Sequence, residues 1–539
     1  MSSATPKTAL LGTPSRGGGG SERVFIPKTY GGRPSRAGDA RTSTFVKTNH
    51  SGDVPHFVYH GFVEDADSDV SLDGHAILAR DPMNGKSSLF MTSFNIVNGI
   101  VGAGMISLPY VIKQQGFIPG IIGLIVVAII TYFTMILQIE VGRTAGAFSY
   151  ETVCELAFGK RGFYILVFFM FVNAFGTCVA YACLIQMVIP PLVQPWLLEI
   201  VPDNARVYVT PDAILNVLAI FILFPLSLYR NLAKFERMSC LSIIVLVTLI
   251  TVLSINFCDL GEFAAIHTEP FDDMIFAVGD EYFQGLGTLA FAFSCQQYSF
   301  HAFETLDDPT ETRWSTVTFL SLMSSCIMGL IFGAVGYLSY GDDTEANILD
   351  NLSSKSGYGD MARLAVGAKM FLTFPLDFFV IRYCFQRMIS RIFCGDIEWD
   401  AENPYTMGND KRGRPMFTPI ITRDNIRGKG KHSKDFTKCA HFSLTLVLFA
   451  SVMACAYFAM NAGGKTKGLA LVLQLSGGVG AIFIGFVFPT ACYLKLGIVR
   501  IRMPNCWDSF YYIFAWIVML FGIFAGFSTT SMTLYDAFK

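Results

Sequence analysis

The chain is 539 residues long, 52% hydrophobic and only 15% charged, with a formal net charge of −2. Soluble domains carry about 25% charged residues, so this balance excludes a soluble protein and describes one embedded in a lipid bilayer. The near-neutral total says nothing about nucleic acid, and no basic-aromatic interleaving suggests it, so no nucleic-acid partner is expected.

Residues 1–87 read as a solvated cytosolic tail, with ten Lys or Arg from Lys7 to Lys86, the run Gly17 to Gly20, and scattered Ser and Thr. Such a composition buries too little apolar surface to fold alone. It holds no apolar run of signal-peptide length, so the first span is expected to act as its own insertion signal. The 13 cysteines show neither metal-ligand spacing nor a disulfide framework. Cys178, Cys183, Cys240, Cys295, Cys326, Cys384, Cys455 and Cys492 lie in apolar runs and read as small core residues. No cofactor is expected.

A membrane helix needs about 20 apolar residues. Eleven stretches qualify, at 88–112, 116–138, 163–190, 211–229, 237–258, 282–304, 316–340, 361–388, 440–463, 467–495 and 507–533. They predict an all-α integral membrane domain over 88–535, with Pro211 opening the fourth span and Pro225 kinking it. Positive charge sets the orientation. Arg143, Lys160, Arg161, Arg230, Lys234, Arg237, Lys495, Arg500 and Arg502 mark the cytosolic side, together with a basic insert at about 392–439. The segment from Asp259 to Glu281 carries seven acids and no Lys or Arg, and is placed outside. With the N-terminus cytosolic, Asn351-Leu352-Ser353 faces outward as a glycan acceptor or a chance match, while Asn49-His50-Ser51 stays inside and bare. The basic insert fits contact with anionic lipid or, more simply, fixes topology.

Two spans are interrupted. The first reads Phe94-Asn95-Ile-Val-Asn98-Gly99-Ile-Val-Gly102-Ala103-Gly104, and each glycine weakens a helix by about 1 kcal/mol relative to Ala. Five spans later, Phe291-Ala292-Phe293-Ser294-Cys295-Gln296-Gln297 sets polar groups and small residues in mid-membrane. Backbone groups freed in hydrocarbon are tolerated only where they line a cavity or meet a ligand. Interrupted segments at matching places in two five-helix halves point to an inverted repeat with a site between them. A helix half starting near Gly102–Gly104 would aim N–H groups at a carboxylate. Carbonyls freed at Phe291–Ser294 would accept from an ammonium, so the pair matches an α-amino acid. Asn95, Gly99, Gly102, Ala103, Gly104, Phe291, Phe293 and Ser294 are the candidate substrate-binding residues. Tight helix packing is the competing reading of the small residues.

Span eight carries Lys369, Thr373, Pro375 and Asp377. A charge at the centre of a membrane helix costs about 2.5–3.5 kcal/mol, so Lys369 and Asp377 need partners or water. Lys369 could snorkel outward, with a structural or a gating role. Asp377 either relays protons or pairs with Arg382.

These motifs occur in the order found in the amino acid/auxin permease superfamily, which the chain resembles over residues 85–535, and in particular its sodium-coupled neutral amino acid transporters and related vacuolar amino acid transporters. The resemblance rests on Phe94 to Met105, Phe224 to Asn231, Ala290 to Cys295, Leu372 to Pro375 and Phe488 to Lys495. It implies eleven transmembrane helices in a 5+5 inverted repeat (LeuT-like) with helices 1 and 6 broken, and secondary active transport of glutamine-like neutral amino acids. It also implies that Asn98 and Thr373 stand at the family's sodium-ligand positions. Sodium through those two, or protons through Asp377, are the alternatives for the coupling ion. Gln296 stands where the family has His, outer disulfide cysteines are lacking, and the basic insert is outside the shared pattern. The expected residence is a vacuolar, lysosomal or plasma membrane. An amino acid sensor signalling through the tail is the alternative function, and no span carries a set of residues for enzymatic chemistry.

Overall fold

Helices form in each of the eleven predicted stretches. The computed structural model describes residues 87–145, 147, 149–228, 239–260, 277–352, 357–394, 405–409, 415–419, 438–496 and 506–539. The predicted tail up to residue 86, the Asn49 sequon, most of the acidic outer loop and most of the basic insert lie outside the described residues.

The order is α1 (Leu89–Ile100), α2 (Ala103–Ile106), α3 (Leu108–Gln115), α4 (Phe117–Ala145), α5 (Tyr150–Val188), α6 (Pro190–Ile200), α7 (Pro211–Leu218), α8 (Phe224–Ser227) and α9 (Ser239–Leu260). There follow α10 (Tyr282–Ala292), α11 (Ser299–Thr305), α12 (Glu311–Tyr340), α13 (Ile348–Asn351), α14 (Gly357–Cys394), α15 (Lys438–Leu475), α16 (Phe488–Leu496) and α17 (Cys506–Phe538). By length and composition, seven helices among the described residues can cross a membrane, and Leu89–Ile100 and Pro211–Ser227 are shorter apolar segments. On α17 the residues Phe510, Ile513, Ile517, Leu520, Phe524 and Phe527 form an apolar stripe that is exposed, each side chain at least 56% open. A stripe of this kind suits lipid, where an exposed apolar face carries no penalty. This is a membrane protein.

Several boundaries differ from the sequence expectation. The third span starts not at 163 but at Tyr150, because Ser149 accepts the Thr152 N–H at 3.2 Å and caps a helix ahead of the apolar run. Gly159, at φ 66°, turns the chain between the two parts. The fourth span, expected to kink at Pro225, carries a π-helical turn over Ala219–Leu223 just ahead of that proline and runs on helically into α8. The tenth span contains two further π-helical turns, Ser476–Ala481 and Phe483–Val487, and Tyr150 Oη donates to the Ile484 carbonyl there at 2.6 Å. The membrane domain is all-α, as expected. Within the basic insert, Tyr405–Asn409 and Pro415–Pro419 pair as an antiparallel two-stranded ribbon, with Met407 opposite Phe417.

The interrupted segments α1–α3 and α10–α11 cross at the centre of this bundle. Gly104 sits against Ala292, such that an added Cβ would meet the Ala292 Cα at 2.7 Å and its N at 2.9 Å. Backbone-to-backbone approach this close admits no side chain. Gly104→Ala is therefore expected to destabilise the folded protein by about 1–3 kcal/mol, seen as a lower midpoint of thermal unfolding in detergent. An unchanged midpoint would show that the two segments can part without loss.

Candidate functional site

The break in the first span is a failure of the helical ladder. In a continuous helix the Gly102 N–H would donate to the Asn98 carbonyl. Here it turns back to the Ile100 carbonyl at 2.8 Å, and Gly102 adopts an extended conformation at φ −127°, ψ −153°. No side chain caps the turn that follows, so its N–H groups are left for other partners. The sixth span breaks over Phe293–Cys295, between α10 and a 3₁₀ turn at Gln296–Tyr298.

Gln296 repairs much of the second break. Its side-chain Oε1 accepts the Cys295 N–H at 3.1 Å, while its Nε2 reaches Thr134 Oγ1 and the Gly485 carbonyl, each at 3.4 Å. Its own carbonyl accepts from Gln138 Nε2 at 3.1 Å. Where the resembled family carries His, this chain has an amide that braces the break from spans two and ten.

Between the breaks lies a small chamber of about 30 Å³, room for roughly two water molecules. Of the sequence-predicted residues, Gly99, Gly102, Ala103, Gly104, Phe291, Ser294 and Asp377 line it, and Asn95, Asn98, Phe293 and Thr373 do not. Phe293 is instead buried in the core, and the buried Oδ1 of Asn95 has no hydrogen-bond partner. Gln297, noted in the sequence only as one of the polar groups of the sixth span, also lines the chamber, and sequence reasoning missed Asn173, Thr177 and Tyr181 on α5 and Tyr298 beside the second break. A lone amide or tyrosine in an apolar helix carries no mark of which way it faces, so no signal in the sequence distinguished them.

The polar groups are unevenly satisfied. Asn173 Nδ2 donates to Ser294 Oγ at 3.4 Å, but Asn173 Oδ1 and Gln297 Oε1 are buried acceptors without hydrogen-bond partners. Unspent buried acceptors are rare and point to a missing donor. Asp377 is held by two tyrosines: Tyr298 Oη donates to it at 2.6 Å, and Tyr181 Oη is a second hydrogen-bond partner. The alternative pairing with Arg382 is replaced by another arrangement, in which Arg382 donates to the Ser227 carbonyl at 2.8 Å and to Thr445 Oγ1 at 3.5 Å. Thr373 Oγ1 donates to the Lys369 carbonyl at 2.9 Å and is also hydrogen-bonded with Tyr181.

Lys369 does not snorkel. It is 2% exposed, its Nζ has no hydrogen-bond partner among the described residues, and it lines a second, apolar cavity of about 10 Å³ beside Val101, Gly102, Met105 and Ile106 of the first span. Gly102 lines both cavities, so Lys369 and Asp377 flank the same break from one helix.

Contacts tie the two interrupted spans together at both of their ends. Towards α3, Gln114 Nε2 donates to Glu281 Oε2 at 2.7 Å, Gln115 Nε2 to the Tyr282 carbonyl at 3.0 Å, and the Gly279 N–H to the Gln115 carbonyl at 3.0 Å. Towards the start of α1, Ser87 bridges to Leu306, its N–H donating to the Thr305 carbonyl at 3.1 Å. Arg391 forks onto Glu155 at 2.9 and 2.8 Å, and Arg143 meets Glu311 at 3.2 Å. His301, near the end of the sixth span, is exposed.

A helical membrane domain that shuts a polar chamber between two interrupted helices has the build of a membrane transporter. The profile of the family described as transmembrane amino acid transporter protein matches residues 85–535, and the chain belongs to that family, one of transporters rather than enzymes. A Danio rerio protein, provisionally named sodium-coupled neutral amino acid transporter 11, is 27% identical over 440 residues, covering 81% of this chain and 86% of its own. Vacuolar amino acid transporter 2 of Saccharomyces cerevisiae is 27% identical over 297 residues, 55% of this chain and 61% of its own. A solved Na+-coupled sialic acid symporter, substrate-bound and outward-open, aligns with 85% of this chain and 94% of its own at 12% identity and a TM-score of 0.48, a likeness too loose to carry function.

The tyrosine clamp on Asp377 gives a direct test. Tyr298→Phe removes one donor from a buried carboxylate and is expected to lower stability by about 1–3 kcal/mol. In an Asp377→Asn background the same change is expected to cost clearly less, since the charge is gone. Equal losses in the two backgrounds would show that the hydroxyl acts on something other than Asp377.

Proposed function

We propose that this chain is a secondary active transporter of neutral amino acids, glutamine-like in size, that works by alternating access around the chamber between its two broken helices. The observation that carries the reading is the pairing of unspent groups. Uncapped N–H groups after Gly102 suit a carboxylate, and the orphan acceptors Asn173 Oδ1 and Gln297 Oε1 suit an ammonium. The α-amino and α-carboxylate groups common to all amino acids would use these, which leaves the apolar Ile100, Phe291 and Ala292 beside the side chain. A neutral side chain is the simplest match to that wall.

The chamber has room for only about two waters, so an amino acid enters only if the contacts at one end open. The glutamine-rich closure near Glu281 and the Ser87–Leu306 bridge at the other end are the natural pair of gates. The span count of eleven, the 5+5 repeat and a cytosolic N-terminus complete this reading, supported by the helical stretches and the positive charge at one set of loop ends. One cation crossing 100 mV supplies about 2.3 kcal/mol, roughly a fiftyfold gradient of substrate. Residence in a vacuolar, lysosomal or plasma membrane is consistent with the relatives' names. A glycan at Asn351 is less well supported, because its Nδ2 donates to the Asp343 carbonyl at 2.8 Å and its Oδ1 accepts the Glu345 N–H at 2.9 Å.

Uptake of radiolabelled glutamine into proteoliposomes, with imposed cation gradients, tests the proposal. Saturable accumulation is expected, lowered about tenfold or more in Asn173→Ala, since a hydrogen bond to a charged group is worth about 1.5–3 kcal/mol. Saturable binding without flux would instead favour a sensor signalling through the cytosolic tail.

A further inference from the structure

We infer that Gln296, which does not itself line the chamber, is the positioning residue for substrate recognition: its side-chain amide fixes the backbone of the second break so that Ser294 and Gln297 hold their oxygens towards the substrate. The inference rests on the transport reading above and names the residue that keeps one half of that site in order.

In a continuous helix the Cys295 N–H would donate to the Phe291 carbonyl. Here that carbonyl takes the Ser294 N–H at 3.2 Å, and Cys295 leaves the helix at φ −129°, ψ 1°. A buried N–H without an acceptor is costly. Gln296 Oε1 supplies the acceptor at 3.1 Å, from the next residue along.

The same amide is anchored at its other end. Its Nε2 donates to Thr134 Oγ1 on α4 and to the Gly485 carbonyl, in the second π-helical turn of span ten, each at 3.4 Å. Thr134 Oγ1 donates its own hydrogen to the Thr131 carbonyl at 3.1 Å, so it accepts from Gln296. The Gln296 carbonyl accepts from Gln138 Nε2 at 3.1 Å, a second tie to α4. A carboxylate in this place would lack the donors, and an apolar chain of similar length would lack donors and acceptor alike. The room is equally restricted, because a Cβ on Gly485 would stand 3.2 Å from Gln296 Nε2 and 3.3 Å from its Oε1.

Ser294 and Gln297 flank this frame, and both line the chamber. Gln297 Oε1 is a buried acceptor without a hydrogen-bond partner, and Ser294 Oγ accepts from Asn173 Nδ2 at 3.4 Å. If the frame slackens, fewer molecules hold the site ready, and apparent affinity falls by that fraction. Saturating substrate restores the ordered form, so the signature is a raised KM with the maximal rate kept.

The experiment is initial uptake of radiolabelled glutamine, at graded concentrations, into proteoliposomes holding the full chain with cation gradients imposed. Gln296→Met keeps the length and removes every side-chain hydrogen bond. Its KM is expected to rise about tenfold, with a maximal rate within about threefold of wild type. Gly485→Ala leaves every partner in place but crowds the amide, and is expected to raise KM about threefold. A wild-type KM in Gln296→Met would overturn the inference, as would a maximal rate lost at unchanged KM, the mark of a merely structural role. If Gln296→Met does not fold, Gly485→Ala decides, and a wild-type KM there would overturn it. A wild-type chain that accumulates no glutamine would remove the transport reading, and this inference with it.

Discussion

Backbone groups in hydrocarbon must find partners, and this one constraint shapes the centre of the molecule. Two helices stop being helices in mid-bundle, at Gly102 and at Phe293–Cys295, where no lipid can reach them. Each break is tolerable because the other lies against it, with Gly104 packed on Ala292 and Gln296 donating and accepting around the second gap. The freed groups that Gln296 does not satisfy face a chamber. A ligand with an acid and an ammonium end would complete what the protein leaves unfinished.

The surrounding helices serve that centre in distinct ways. α5 contributes Asn173, Thr177 and Tyr181 to the chamber wall, and Tyr150 near its start reaches the irregular tenth span. α14 places Lys369 and Asp377 on either side of the first break. The two interrupted spans are tied at both ends by contacts of modest strength, mostly amide hydrogen bonds and partly exposed ion pairs. Such contacts are the kind that can part and re-form within a transport cycle.

Much of this architecture could be read in the sequence, because glycines and prolines act through the backbone and need no tertiary context. Gly99, Gly102 and Gly104 marked the first break, and Phe291–Ser294 the second, within a residue or two of where the chain departs from helix. Side-chain direction was not legible. Asn173 and Tyr181 look the same in a linear string whether they meet lipid, a neighbouring helix or a cavity. Lys369 misled for the same reason: snorkelling and burial depend on what packs around the stem, and here Val366, Met370 and Phe332 enclose it. The early start of α5 at Tyr150 was hidden because its first turns are amphipathic rather than apolar.

Amide hydrogen exchange in lipid nanodiscs tests most directly whether the first break is a ligand-binding element. Without substrate, the amides of Ala103 and Gly104, which open the uncapped turn, should exchange much faster than those within α4 and α10, and saturating glutamine should slow them. Slow exchange at both amides without substrate, matching α4 and α10, would contradict the account, as would fast exchange that glutamine leaves unchanged.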